Sequence, residues 1–219
     1  MNKTLTTLFA LAVASVTALS HAQEAKGDVE AGKQKIAMCI GCHGIPGYQA
    51  SFPEVHKVPM ISGQSGKYIA AALVAYQKGD RKHPTMRGIA ETLSEQDIAD
   101  VSAYYEQHGK AVELAAKPKR EPSVQVAALL QKGACVSCHG DNFAKPIDPS
   151  YPKIAGQHAD YLFVALKSYK VEKNNNLGRS NAIMAGIAKQ FTNAELKALA
   201  NYIGAVEGDL QVVPQSRFR

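Results

Sequence analysis

Cys39-Ile40-Gly41-Cys42-His43 recurs ninety-six residues later as Cys135-Val136-Ser137-Cys138-His139, and the two pentapeptides hold all four cysteines of the 219-residue chain. Thiols three residues apart lie on one side of a helical turn, where both add to the vinyl groups of one porphyrin, and the next residue brings its imidazole to the iron from the same side. The pattern reads as two covalently attached c-type haems, one through Cys39 and Cys42 and one through Cys135 and Cys138, with His43 and His139 as axial ligands. Two disulfides or a thioredoxin-like pair would need no histidine after each second cysteine. Zinc sites made from the same pairs would leave the wider repeat unexplained.

The similarity runs well beyond the cysteines. Pro59-Met60-Ile61-Ser62-Gly63-Gln64 matches Pro152-Lys153-Ile154-Ala155-Gly156-Gln157, with Tyr68 falling on Tyr161. Thr85-Met86-Arg87-Gly88-Ile89-Ala90 matches Ile183-Met184-Ala185-Gly186-Ile187-Ala188, with Tyr104 falling on Tyr202. The chain is a tandem duplication, and Ala115 to Pro122, with two prolines and dense charge, reads as an exposed tether between the copies. The expected units are residues 23–116 and 123–219, joined by a linker over 117–122. The polar segment Lys173-Asn174-Asn175-Asn176 is the longest interruption of the repeat.

Both copies read as helical. Asp28 and Ser123 are expected N-caps of the helices that lead to Cys39 and Cys135. Ser94-Glu95-Gln96-Asp97 and Thr192-Asn193-Ala194-Glu195 read as capping boxes opening the last helix of each unit. A middle helix is expected over about 67–77 and 160–170, and no alternating strand pattern stands out.

The sixth ligand separates an electron carrier from a catalyst. After Met86 the only methionine is Met184. In the first unit Met38, Met60 and Met86 compete, but Met60 aligns with Lys153 whereas Met86 aligns with Met184, so the repeat selects Met86 and Met184. His56, His83, His108 and His158 are the imidazole alternatives, and His83 stands three residues before Met86; none of them repeats. A thioether favours ferrous iron relative to imidazole and fills the coordination sphere, which suits outer-sphere electron transfer. The carbonyls of Pro59 and Pro152 are expected to accept the Nδ1 protons of His43 and His139. Tyr68, Tyr161, Gln64 and Gln157 are expected to face the haem propionates, and Gly44 and Gly140 to take positive φ after the ligand histidines.

Composition sets the remaining bounds. Met1-Asn2-Lys3, the uncharged stretch Leu5 to Leu19 and Ser20-His21-Ala22 have the build of a secretory signal peptide over residues 1–22, cleaved after Ala22, and no later segment is long and apolar enough to span a bilayer. Export places the chain where thiols oxidise and leaves peripheral membrane attachment open. The formal net charge is +6; Lys and Arg balance Asp and Glu over residues 23–117 and exceed them by five over 118–219. No Arg/Lys stripe with interleaved aromatics accompanies the excess, which argues against nucleic acid and suits either a docking face for an acidic redox partner or an ordinary solvated surface.

Two Cys-x-x-Cys-His units, each followed by Pro-x-x-x-Gly-Gln, a middle helix, a methionine before Ile-Ala and a capped final helix with tyrosine, resemble the dihaem cytochrome c4 family along essentially all of the mature chain. The resemblance implies an all-α fold of two tandem class I cytochrome c domains related by an approximate two-fold, with haems facing one another near the interface. It implies axial pairs His43/Met86 and His139/Met184. It also implies a non-enzymatic electron carrier between a cytochrome bc complex and a terminal oxidase or another reductase. The competing readings are the cytochrome subunit of a periplasmic dehydrogenase, such as a flavin-containing sulfide dehydrogenase, and a small dihaem peroxidase or thiosulfate dehydrogenase.

Overall fold

A computed structural model describes residues 25–215. The expected signal peptide, residues 1–22, lies outside the described residues.

The first half begins with α1 (Val29–Lys35), capped by the Asp28 carboxylate, which accepts the Ala31 N–H, and continues into α2 (Ala37–His43), which carries the first pentapeptide. A ribbon of β1 (Gln49–Ala50) and β2 (His56–Lys57) follows, then α3 (Gly66–Lys78), β3 (Arg81–Lys82), α4 (Pro84–Ala90) and α5 (Glu95–Gln107). The expected capping box at Ser94 and Asp97 opens α5. Its apolar face buries Ile98, Val101, Tyr104 and Tyr105 against Ile36, Ile40, Ile69 and Leu73. α1 crosses α5 closely enough that a Cβ on Gly32 would lie 2.2 Å from the Asp100 carbonyl oxygen, so only glycine fits there.

The second half repeats the plan with α6 (Val124–Lys132), α7 (Val136–His139), α8 (Ala159–Ser168), β4 (Gly178–Arg179), α9 (Ala182–Ala188) and α10 (Asn193–Gly204). Ser123 caps α6, and the Thr192/Glu195 box opens α10 as expected. Its core gathers Leu129, Leu130, Phe143, Leu162, Leu196, Leu199 and Tyr202. The two cores are separate apolar clusters, which makes each half a domain with its own interior.

One expectation needs correction, the positive φ at Gly44, and two features add detail to the reading. The four strands are two residues each, too short for alternation to register in the sequence. Gly140 has φ +78°, as expected, but Gly44 has φ −96°, because α2 ends in an ordinary turn whose Gly44 N–H reaches the Ile40 carbonyl. The tether keeps mostly exposed side chains but is fastened to the second half: the Ala115 carbonyl accepts Asn142 Nδ2 at 3.0 Å and the Arg120 carbonyl accepts the Tyr202 hydroxyl at 2.9 Å.

The halves meet through contacts that exchange equivalent residues. Gln64 donates Nε2 to the Lys153 carbonyl (2.9 Å) and accepts the Lys153 N–H on Oε1 (2.9 Å). Gln157 makes the same pair of bonds to Met60, at 2.9 and 3.0 Å. Since Gln64 aligns with Gln157 and Met60 with Lys153, the interface is built about an approximate two-fold, as in a self-complementary dimer. β3 and β4 pair antiparallel across the same axis, Arg81 opposite Arg179. The interruptions of the repeat add bonds of their own. Glu54, beside β2, holds Lys167 at 2.6 Å, and Lys82 Nζ donates to the Asn174 carbonyl at 2.5 Å.

Candidate haem centres

The residues that the repeat singles out converge. One cavity of about 630 Å³ runs between the halves, lined by Cys39, Cys42, His43 and Met86 from the first and by Cys135, Cys138, His139 and Met184 from the second. All four cysteines are free of disulfides.

α2 and α7 end on the histidines, and each imidazole is oriented by a backbone acceptor. His43 Nδ1 donates to the Pro59 carbonyl at 2.8 Å and His139 Nδ1 to the Pro152 carbonyl at 3.1 Å. Spending the Nδ1 proton this way fixes the tautomer and leaves the lone pair on Nε2, the form a metal takes. Burial pushes both imidazoles below their ordinary pKa, the direction that favours the neutral ring.

Met86 and Met184 each sit in the first turn of a short helix, and a side chain three residues upstream caps their own N–H. His83 Nδ1 accepts the Met86 N–H at 3.4 Å, and Asn181 Oδ1 accepts the Met184 N–H at 3.0 Å. His83, weighed above as an alternative ligand, is here the N-cap of α4 and the counterpart of Asn181. Of the other histidines, His108 is engaged by Ser62 Oγ (2.9 Å) away from the cavity and His158 precedes α8. His56 lines the cavity with its Nδ1 on the Glu54 carbonyl (2.8 Å) and its ring stacked on Tyr161. Met38 and Met60 also line the cavity, Met38 half exposed on α2.

Gln64 and Gln157, expected at the propionates, line the cavity and also serve as the interface clamps described above. Tyr68 and Tyr161 line it too, in company with two arginines that sequence reasoning overlooked. Arg81 donates to the Tyr68 hydroxyl at 3.2 Å and to the Tyr161 hydroxyl at 2.7 Å, and Arg179 to the Tyr161 hydroxyl at 3.2 Å. Burial alone would push the Tyr161 phenol up, but the two guanidiniums bring it down to about 8. Arg81 and Arg179 occupy matched positions of the repeat, in the same offset as Met86 and Met184, and that match was the available signal.

This lining fits two haem groups: paired thiols followed by an oriented imidazole in each half, apolar walls from Ile69, Leu73, Leu162 and Ile203, and cationic donors at the centre.

Comparison with known proteins gives the same assignment. The cytochrome c family model matches twice, over residues 29–108 and 123–207. Cytochrome c4 of Stutzerimonas stutzeri is 32% identical over 216 residues, spanning 93% of this chain and 98% of its own. A protein of Stutzerimonas stutzeri strain A1501 named thiosulfate dehydrogenase electron acceptor is 30% identical over 206 residues, covering 89% of this chain and 92% of its own. The crystal structure of reduced recombinant cytochrome c4 from Pseudomonas stutzeri superposes with a TM-score of 0.60 at 27% identity, covering 83% of this chain and 100% of that one. Two matched domains, two pentapeptides and a shared cavity thus place the chain in the cytochrome c4 family, as an electron-transfer c-type cytochrome with two covalently bound haem c groups.

Proposed function

We propose that the chain is a periplasmic electron relay, exported by a signal peptide over residues 1–22, whose domains span residues 23–116 and 123–219 with 117–122 between them. Cys39, Cys42, Cys135 and Cys138 form the thioether links, and the axial pairs are His43/Met86 and His139/Met184. Bound haem c supplies a one-electron ferric/ferrous couple. The chain's residues hold it six-coordinate, exclude water and bring the two sites into one cavity, so that an electron received by one domain passes to the other. The physiological donor is a cytochrome bc complex and the acceptor a terminal oxidase or another reductase; the chain itself is not an enzyme. The observation that carries the reading is the matched convergence of cysteine pair, oriented histidine and helix-borne methionine on one cavity from both halves.

The experiment is optical and magnetic spectroscopy of the purified oxidised holoprotein. Two low-spin haems with a methionine-to-iron charge-transfer band are expected, and a high-spin, ligand-accessible iron would overturn the carrier. A second reading, service as the acceptor of a periplasmic dehydrogenase, is favoured by the relative named for accepting electrons from thiosulfate dehydrogenase. Reduction of the holoprotein by such a dehydrogenase, compared with reduction by a bc complex, separates the two.

A further inference from the structure

α4 and α9, which carry Met86 and Met184, are seven residues each. Two helical turns are too few to persist on their own, so other elements must hold the methionines in place. The last carbonyls of each helix have no partner within it. In both halves a side chain from the end of the middle helix bonds the connector that follows. Gln77, in the last turn of α3, donates Nε2 to the Ala90 carbonyl at 2.8 Å and to the Leu93 carbonyl at 2.9 Å. Lys170, two residues past α8, donates Nζ to the Phe191 carbonyl at 2.7 Å and reaches Asn193 Oδ1 at 3.4 Å. Gln77 aligns with Lys170 in the register of Tyr68 and Tyr161, and Leu93 with Phe191 in the register of Met86 and Met184. The same carbonyl is therefore held from the same place twice, by a neutral amide in the first half and by an ammonium in the second. A further cation joins in the second half: Lys132, at the end of α6, donates Nζ to the Gln190 carbonyl at 2.8 Å and lies 4.7 Å over the Phe191 ring. Its counterpart in the first half is Ile36, which is buried in the core. Among the described residues neither Lys132 nor Lys170 forms a salt bridge, so both cations are spent on the connector.

We propose that Gln77 and Lys170 are positioning residues for the axial methionines. Each fastens the connector behind a methionine helix to the end of the middle helix, and so keeps the thioether on the iron of its own domain. Lys132 is a second fastening in the second half. When a connector swings away its methionine leaves with it, and the iron is open to an outside ligand. The amide and the ammonium set how rarely that happens, one haem each, and thereby keep each site closed to ligands as an electron carrier requires. The proposal rests on Met86 and Met184 being the sixth ligands.

The test is a titration of the oxidised holoprotein with imidazole, followed through loss of the methionine-to-iron charge-transfer band. Imidazole binds only while the methionine is off, so its apparent affinity scales with the population of the open connector. Gln77→Met keeps the length of the side chain and removes both bonds. At roughly fivefold per net hydrogen bond, it is expected to raise the imidazole affinity of one haem about twenty-fivefold. A bond from a charged donor is stronger, so Lys170→Met is expected to raise the affinity of the other haem by at least about tenfold. Lys170→Arg retains a charged donor and should stay near the wild type, a rescue that side-chain bulk alone would not give. Asp100→Asn, which weakens the packing of α1 on α5 away from the connector, should leave both affinities unchanged. Wild-type affinities in both Met variants would overturn the proposal. So would a rise at both haems from either variant, a rise in Asp100→Asn as large as in Gln77→Met, or a Lys170→Arg protein as open as Lys170→Met. A wild type that lacks the charge-transfer band at the outset would instead refute the axial assignment, which keeps the two failures apart.

Discussion

Replacing Gln64 and Gln157 by methionine should uncouple the two domains while leaving each one folded. Both glutamines are about 3–4% exposed, and each makes two hydrogen bonds across the axis, all four between 2.9 and 3.0 Å. Methionine matches glutamine in length and fills the same space, so packing within each half is kept while the amide is lost. A hydrogen bond of this kind contributes about 1 kcal/mol net, so one substitution costs about 2 kcal/mol and the pair about 4. The loss is larger where a backbone N–H or carbonyl of Met60 or Lys153 is left without a substitute partner. For a chain of this size 2 kcal/mol lowers the melting temperature by about 4–8 °C. Calorimetry of the holoprotein reads the result. The wild type is expected to unfold in one transition, each single variant at a lower temperature, and the double variant in two resolved transitions as each domain melts on its own core. A single transition in the double variant within 1 °C of the wild type would show that these glutamines do not hold the halves together.

Further consequences concern single sites. Met184→Ala should lower the potential of only one haem and open that iron alone to carbon monoxide; an unchanged second haem by optical titration would refute the pairing of Met184 with His139. Gly140 has φ +78° and ψ 161°, and a Cβ there would lie 2.1 Å from the Lys145 carbonyl oxygen, so Gly140→Ala should cost at least about 1–3 kcal/mol by denaturant unfolding. Gly44→Ala, at negative φ, should cost less. Asp100 is almost wholly buried; burial raises its pKa, yet bonds from Lys35 Nζ (2.6 Å), the Asp28 N–H (2.8 Å) and Gln96 (2.8 Å) leave it below the ordinary value of 3.8. A carboxyl depressed in the folded state contributes its full stability above the unfolded pKa and loses it as pH falls through the folded one. Asp100→Asn should therefore be less stable at pH 7 and show a flatter decline in stability below about pH 4; a decline identical to the wild type would refute this role.

What was legible in the sequence is what local chemistry or internal repetition dictates. The boxes at Ser94 and Thr192 form because their partners lie three residues away, so no tertiary information is needed. The orientation of His43 and His139 by Pro59 and Pro152 followed from the repeated proline segment after each histidine, sixteen residues on in one copy and thirteen in the other. The repeat reports equivalence without reporting which surfaces meet. Gln64 and Gln157 align equally well as propionate partners or as a clamp, and only the docked halves put the Lys153 and Met60 backbones against them. Arg81 and Arg179 were hidden for a related reason: their matched repeat positions were there to read, but among 25 Lys and Arg that match does not say that the two meet across the axis. Gly44 and Gly140 share a motif position, but α2 runs as a regular seven-residue helix whereas α7 has four, so the chain leaves the two haem sites by different turns.

The manner in which the halves are joined also bears on how two such similar sites come to differ. The clamp recognises main chain: the glutamines bond the N–H and carbonyl of Met60 and Lys153, so either side chain is free to change without losing these four bonds. Lys153 uses that freedom to pair with Asp209 at 2.6 Å and to donate to the Gly63 carbonyl, while Met60 remains apolar against the cavity. The same holds at the methionine helices, where His83 and Asn181 serve one capping role with different chemistry. Because Lys153 is neutralised by Asp209, the second half's excess of five positive charges is carried by other residues, where it can select a docking partner. Differences between the two haems are then expected from neighbours such as Met60 and His83, and differences in partner choice from the surface. The elements held in common, residues of the pentapeptides, the methionines and the facing arginines, are those that line the cavity between the domains.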